Sequence, residues 1–425
     1  MNLSASSEKT SYFNSWMCFM WAVCLSLSPT IGFFYYPIFK VVGFYFNTAV
    51  FAIILAASAI IQARLNPKFD LAPLLFSILM CIGFLVMLVK DPSEVSPEIL
   101  SSARIIIYVL IFLILSCSRI SLDFYLKIRK TFSAIILFYC FISVGLIVAY
   151  GLEGYLELNR DMVAILGRDE DAYYGGTTLN SSDGEFLRPT FPGINSNAAV
   201  ILLIYAFIYF SYRVVYDFSS LNFIFASLLF VLIAATLSRQ GILLTGICSL
   251  VIFRKLFKVN KKNALVALVT GSALITSIIS IYPIVLWRTL QPIFSLVGVE
   301  YDNVVSSSNR FGTIGRSLNL IFDEPLGRGV YGYSEIVGTG VSLSSEHNLL
   351  LYLSITMGLV FTISLMAILF LVIFRVYSKK FAVSSHLARS VIRLDLLLLC
   401  LSSIFAPNYA FFLLFLVLLL SVSRS

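Results

Sequence analysis

FFLLFLVLLLSV, residues 411–422, and AVFAIILAASAII, residues 49–61, are apolar on every side and carry no charge. A strand of a membrane barrel alternates polar and apolar residues over about ten positions, and neither stretch does so. Uncharged runs recur along the whole 425-residue chain, and about twenty such residues let an α-helix cross roughly 30 Å of hydrocarbon with its backbone bonded internally. Composition agrees: 59% of residues are hydrophobic and 12% are charged, and mean hydropathy is +0.94. Soluble domains carry roughly 25% charged residues, so a water-soluble fold is excluded. The reading is an all-α polytopic membrane protein, a single integral membrane domain over 1–425 with about twelve transmembrane helices.

Spans are expected near 15–35, 41–62, 71–89, 103–118, 131–151, 195–212, 220–237, 240–254, 263–286, 349–374, 391–406 and 408–423. Placing the N-terminus in the cytoplasm puts the basic connections Arg64/Lys68, Arg119 to Lys130, Arg254 to Lys262 and Arg375 to Arg393 on the cytoplasmic face, as the positive-inside rule asks. About nineteen of the thirty Lys and Arg then lie inside, against about five of the twenty-two acids. The formal charge of +8 is therefore a topology signal, and no nucleic-acid partner is expected. The chain reads as a multi-pass protein of a bacterial inner membrane, both termini cytoplasmic, without a cleavable signal. Two long connections, 152–194 and 287–348, fall in the periplasm, and loops of such length are usually functional or disordered. Cys18, Cys24, Cys81, Cys117, Cys140, Cys248 and Cys400 all sit in apolar runs with no CxxC pair, the pattern of small core hydrophobes. No internal repeat of the kind many transporters carry is evident.

Four arginines stand where topology does not ask for a cation. Arg188 opens RPTFPGINSNAA (188–199), where Asn195 or Ser196 is placed to cap the sixth span. Arg239 lies in LSRQG, a tight hairpin between two spans, and a cation there needs a ligand or a partner. Arg310 and Arg316 lie in SSNRFGTIGRSLNLIFDEPLGRG (307–329), expected to form a helix opening the larger loop. Arginine presents a planar fork of donors matched to phosphate oxygens, so converging arginines at the outer surface suit a lipid-linked diphosphate. The plain alternative is that each snorkels or pairs with a carboxylate such as Asp323 or Glu324.

Of the two histidines, His386 lies in a basic cytoplasmic connection and reads as solvated. His347 stands at the outer start of the tenth span in SSEHNLLLYLSITMGLVF (344–361), where an imidazole can act as general base toward a sugar hydroxyl. Glu346 beside it would orient it or serve as base, and Asn348 completes the pair. Asp169, Glu170 and Asp171 have the DxD spacing of metal-dependent sugar transferases, but acidic loop runs are usually solvated. HExxH, CxxC, phosphate-loop and GxSxG patterns are lacking, so neither metal nor cofactor is expected. Tyr155, Tyr173, Tyr174, Tyr331 and Tyr333 are candidates for stacking on sugar rings and equally for an interfacial belt.

Taken together, RPTFPGINSNAA, SRQG with Arg239 and Gly241, the block NRFGTIGRSLNLIFDEPLGRGVYGY (309–333), and HN at 347–348 followed by Gly358 resemble the O-antigen polymerase and ligase superfamily. Members move glycans from undecaprenyl diphosphate on the periplasmic face. The resemblance implies that Arg188, Arg239, Arg310 and Arg316 bind the donor diphosphate and that His347 activates the acceptor hydroxyl without metal. Arg316 and Gly327 have the R-x10-G spacing described for polymerases, whereas Phe361 stands where ligases often carry a small residue or Tyr. The expected function is an inverting O-antigen polymerase that joins undecaprenyl-diphosphate-linked repeat units. The rivals are an O-antigen ligase with lipid A core as acceptor and, from another class, a lipid-linked oligosaccharide flippase. Membrane lipid, a chain-length regulator and a flippase are the implied partners. A transporter would concentrate charge near the midplane, and the spans read as nearly free of it.

Overall fold

The computed structural model describes residues 15–23, 25–26, 75, 78–79, 82, 121–165, 178–181, 184–187, 196–236, 238–281, 315–329, 349–377, 386–405, 415–416 and 418–419. The expected spans near 41–62 and 103–118 lie outside the described residues, as does most of those near 71–89 and 408–423. What is described is a helical membrane protein. Its labelled helices are α1 (Leu122–Ile165), α2 (Ser196–Tyr216), α3 (Ser220–Ala235), α4 (Arg239–Val259), α5 (Lys261–Ile281), α6 (Leu349–Met357), α7 (Leu359–Tyr377) and α8 (His386–Phe405). Three of them, α1, α2 and α5, contain stretches long and apolar enough to cross a membrane.

The sequence of α2, SNAAVILLIYAFIYFSYRVVY, is apolar all round, and a helix of that kind has no face suited to water. Accordingly α2 is the centre of the bundle, with Val200, Leu202, Ile204, Tyr205, Ala206 and Ile208 fully buried. Phe207 meets Phe230 with ring centroids 6.2 Å apart, and Phe210 meets Phe225 at 5.3 Å. As the number rises on α2 it falls on α3, so the pair is antiparallel. The Tyr216 hydroxyl lies 2.7 Å from Ser390 Oγ and the Tyr205 hydroxyl donates to the Asp395 carbonyl at 3.4 Å, which makes α8 antiparallel to α2 as well. By contrast α4 runs parallel to α2. Gly241 abuts Val200 at one end, and Lys255 Nζ lies 5.9 Å over the Tyr216 ring at the other. The alternation of direction matches the one expected from the order of spans. Helix α5 is peripheral, only 6% of its apolar stretch being buried, against 89% for α2.

Two features of the first long connection add to the expectation. The fifth span was expected to end at 151, and the helix breaks there, a second helical stretch following to Ile165. Gly151, at φ 73° and ψ 169°, turns it back on itself, for the Tyr155 hydroxyl donates to Ser143 Oγ at 3.1 Å. Twelve residues of straight helix would separate that pair by about 18 Å. Tyr155 is thereby buried, which removes it from the candidate sugar-stacking residues. Further on, Thr178–Ser181 and Gly184–Leu187 form an antiparallel hairpin, β1 and β2, with Thr178 opposite Leu187. Among the described residues the strands are confined to this connection, and the class stays helical.

A Cβ on Gly241 would overlap the Val200 methyl groups. Gly241→Ala should therefore destabilise the detergent-solubilised protein by about 1–3 kcal/mol. Val200→Ala in the same chain should relieve the overlap, so that the double variant loses less than the two singles together. Strictly additive losses in thermal unfolding would deny the contact.

Candidate functional site

The motifs singled out in the sequence are brought together in two pairs. In the first, Ser238 caps α4, its Oγ accepting from the Gly241 N–H at 3.3 Å, and Arg239 is the first residue of the helix. Gly241 packs on Val200, close to the start of α2 at Ser196. The SRQG hairpin thus lies against the helix that RPTFPGINSNAA leads into. Arg188 and the side chain of Arg239 lie outside the described residues.

The second pair joins the block 309–333 to the helix that follows His347. Residues 315–323 are helical, as expected, and Arg316 is exposed on them. Ile321 packs on Ile355 of α6, with Leu320, Leu351 and Leu359 around them. The chain then turns, and residues 325–328 enter a break between α6 and α7. In an unbroken α-helix the Leu359 N–H would donate to the Ile355 carbonyl. Here the Leu359 N–H donates to the Pro325 carbonyl at 2.8 Å, and the Ile355 carbonyl accepts from the Arg328 N–H at 2.7 Å. Both of these groups, freed by the break, are answered by the inserted segment.

That approach requires glycine on both sides. Gly327 (φ 87°) and Gly358 (φ 99°) take conformations L side chains rarely adopt. A Cβ on Gly327 would sit 2.6 Å from the Gly358 nitrogen, and one on Gly358 would sit 2.7 Å from the Leu326 carbonyl carbon. The single span expected over 349–374 is therefore two helices meeting at Gly358. Within the segment, Arg328 Nη2 pairs with Glu324 Oε1 at 3.1 Å, so Glu324 answers Arg328. Arg310, Glu346, His347 and Asn348 lie outside the described residues, as do Asp169, Glu170, Asp171, Tyr173, Tyr174, Tyr331 and Tyr333. His386 opens α8 and is exposed, in keeping with a solvated role.

Sequence reasoning missed the strongest polar interaction in the bundle. Arg129, counted there in a basic connection, is instead inside α1 and fully buried, and so is Asp395 of α8. Arg129 Nε donates to Asp395 Oδ2 at 2.8 Å and Nη2 to Oδ1 at 3.0 Å. Nη2 also donates to the Tyr205 carbonyl at 2.6 Å, and the Tyr125 hydroxyl donates to Oδ2 at 2.5 Å. The rings of Phe132, Tyr205 and Phe415 lie 5.3, 5.2 and 5.6 Å from the guanidinium carbon, a cation–π setting. The expectation that the spans are nearly free of charge is corrected accordingly. The signal available was Asp395 itself, a lone acid in LDLLLLCLSSIF (394–405), since an acid in an apolar helix calls for a partner. Closed off by rings and backbone, this pair is a staple between helices and offers no surface to a substrate.

Among the described residues, no group of three or more His, Cys, Asp or Glu is placed to hold a metal ion. Comparison with protein-family models, curated proteins and solved structures finds no match to the chain.

Two outcomes follow from these contacts. Asp395→Ala leaves Arg129 buried without its partner and should cost about 3–5 kcal/mol, whereas Arg129→Met with Asp395→Leu should cost far less. Equal losses in thermal unfolding would contradict the pairing. At the joint, Gly358→Ala should expel the inserted segment, and hydrogen–deuterium exchange would report it as faster exchange at the Arg328 and Leu359 amides. Unchanged protection at both would mean that the segment does not rely on Gly358.

Proposed function

We propose that the chain is an inner-membrane glycan polymerase of about twelve spans, both termini cytoplasmic, working on undecaprenyl-diphosphate-linked repeat units at the periplasmic face. The observation that supports this reading is the exchanged hydrogen-bond pair at Gly327 and Gly358. It ties the arginine-bearing segment 315–329 to α6, and His347 precedes the first residue of α6 by two positions. Catalysis of glycosyl transfer asks for this kind of tie. A cation that holds the diphosphate and a base that deprotonates the acceptor must keep a fixed separation to act on one reacting centre.

In this reaction the acceptor hydroxyl oxygen forms a bond to the anomeric carbon of the donor, and the bond from that carbon to the phosphate oxygen breaks. Undecaprenyl diphosphate departs with the electron pair, its charge held by Arg188, Arg239, Arg310 and Arg316. His347 takes the hydroxyl proton, with Glu346 and Asn348 supporting it. Attack from the face opposite the leaving group inverts the anomeric carbon, so one base suffices and no covalent carboxylate is needed. Fixed cations aimed at developing charge are typically the largest part of such catalysis.

A lipid-linked oligosaccharide flippase is the second reading, favoured by the buried Arg129–Asp395 pair and the broken helix at Gly358, since transporters use intramembrane charges and interrupted helices. Surface glycan profiles separate the two. Cells whose only copy is His347→Ala, at equal membrane expression, should carry single repeat units on lipid A core. Long undecaprenyl-linked chains without attachment would indicate a ligase, repeat units retained in the cytoplasm a flippase, and an unchanged profile would sink the assignment of His347.

A further inference from the structure

We infer that Arg328 is a ligand of the polyprenyl diphosphate, an assignment that rests on the polymerase reading and adds a cation to its donor site. Arg328 lies in the inserted segment, between two glycines of positive φ, Gly327 at 87° and Gly329 at 80°. Its own N–H is bonded to the Ile355 carbonyl of α6, so the Cα from which its side chain springs is pinned to the helix that His347 precedes. From Ile355 back to Leu349 is six residues of helix, about 9 Å along the axis. No other described arginine is joined to α6 by its backbone, and Arg316 on the same segment is exposed.

The guanidinium is incompletely used. Nη2 meets Glu324, but Nε is buried without a hydrogen-bond partner. The ion pair is half open, with the Arg328 side chain 27% exposed and that of Glu324 39%. Pairs of that exposure are weak. A diphosphate brings more charge and oxygens spaced for the arginine fork, and it can displace one carboxylate. Glu324 then acts as a placeholder that keeps the cation aimed while the donor is away. If Arg328 served only as a clamp through Glu324, the two residues would matter equally.

Binding of undecaprenyl diphosphate to the full chain in nanodiscs, with undecaprenol as the uncharged control, tests the assignment. Arg328→Gln retains the backbone N–H and should leave the melting temperature near that of the wild type while weakening diphosphate binding by about tenfold or more. Arg328→Lys, with the charge but not the fork, should recover part of the affinity. Glu324→Gln should bind as well as the wild type or better, because it removes a competing carboxylate. Equal weakening by Arg328→Gln and Glu324→Gln would make the pair a structural clamp and overturn the assignment. Wild-type affinity in Arg328→Gln would remove Arg328 alone and leave the polymerase reading standing. If the wild type bound the diphosphate no better than undecaprenol, the donor class, and with it the polymerase reading, would fall.

Discussion

A carboxylate inside an apolar bundle has to be answered within the bundle, and Asp395 is answered by Arg129. Removing two such ions from water costs several kcal/mol each, so the pair depends on the further partners around it, even though Arg129 Nη1 is left without a hydrogen bond. Tyr125 donates to one carboxylate oxygen, Arg129 spans both, and the second Nη2 contact goes to the Tyr205 carbonyl. These partners come from α1, α2 and α8, and Phe415 closes the cation from a fourth segment. The demand of one acid thus fixes the mutual position of the central helix and two of its neighbours. Ridge packing alone would allow them to slide. A bidentate pair tied to a main-chain carbonyl sets their register along the axis.

From that staple the bundle runs to the end where α2 and α4 begin. Val200 of α2 and Gly241 of α4 meet there, while Tyr216, Ser390 and Lys255 meet at the other end. The two ends use different chemistry. The Tyr216 end is held by side chains: hydroxyl pairs, a cation over a ring, and the Arg213–Asp217 pair at 2.6 Å. The joint at Gly327 and Gly358 is made by main chain at close range, which only glycine permits, and at Gly241 the Val200 side chain closes on a backbone that bears no Cβ. Main-chain contacts position the segments they join without a rotamer to choose, and precise support under functional groups is what a site requires.

Periodicity and charge bias made the helical class and the order of directions legible. Runs such as SLNFIFASLLFVLIAA leave no alternative to a helix in lipid. What stayed hidden has identifiable causes. Arg129 looked like one more cation in LKIRKTF, because the positive-inside rule assigns such residues to a connection and does not ask whether a partner waits in another helix. Gly358 sits in apolar surroundings, SITMGLVF, where glycine commonly continues a transmembrane helix. Its positive φ goes with the close approach of the inserted segment. Arg328 was passed over for Arg310 and Arg316 because spacing rules weigh a residue by its neighbours in sequence, whereas its position depends on a hydrogen bond to Ile355.

The break at Gly358 shows how groups freed by opening a helix in such a bundle can be paired again. An unpaired N–H or carbonyl away from water costs several kcal/mol, so a helix interrupted on its own would be expelled by that cost. The bond from the Leu359 N–H to the Ile355 carbonyl is given up, and each of these two groups gains a partner in the inserted segment, Pro325 and Arg328. Proline at 325 suits this exchange, because its missing N–H leaves no donor to satisfy while its carbonyl supplies the acceptor Leu359 needs. The inserted segment is therefore held by the polar groups it would otherwise leave bare. Any movement that withdrew it would have to close the helix in the same step, and the positive φ of Gly358 stands against that closure. The arrangement favours a rigid joint over a hinge, as the proposed site, with a cation and a base at fixed separation, would require.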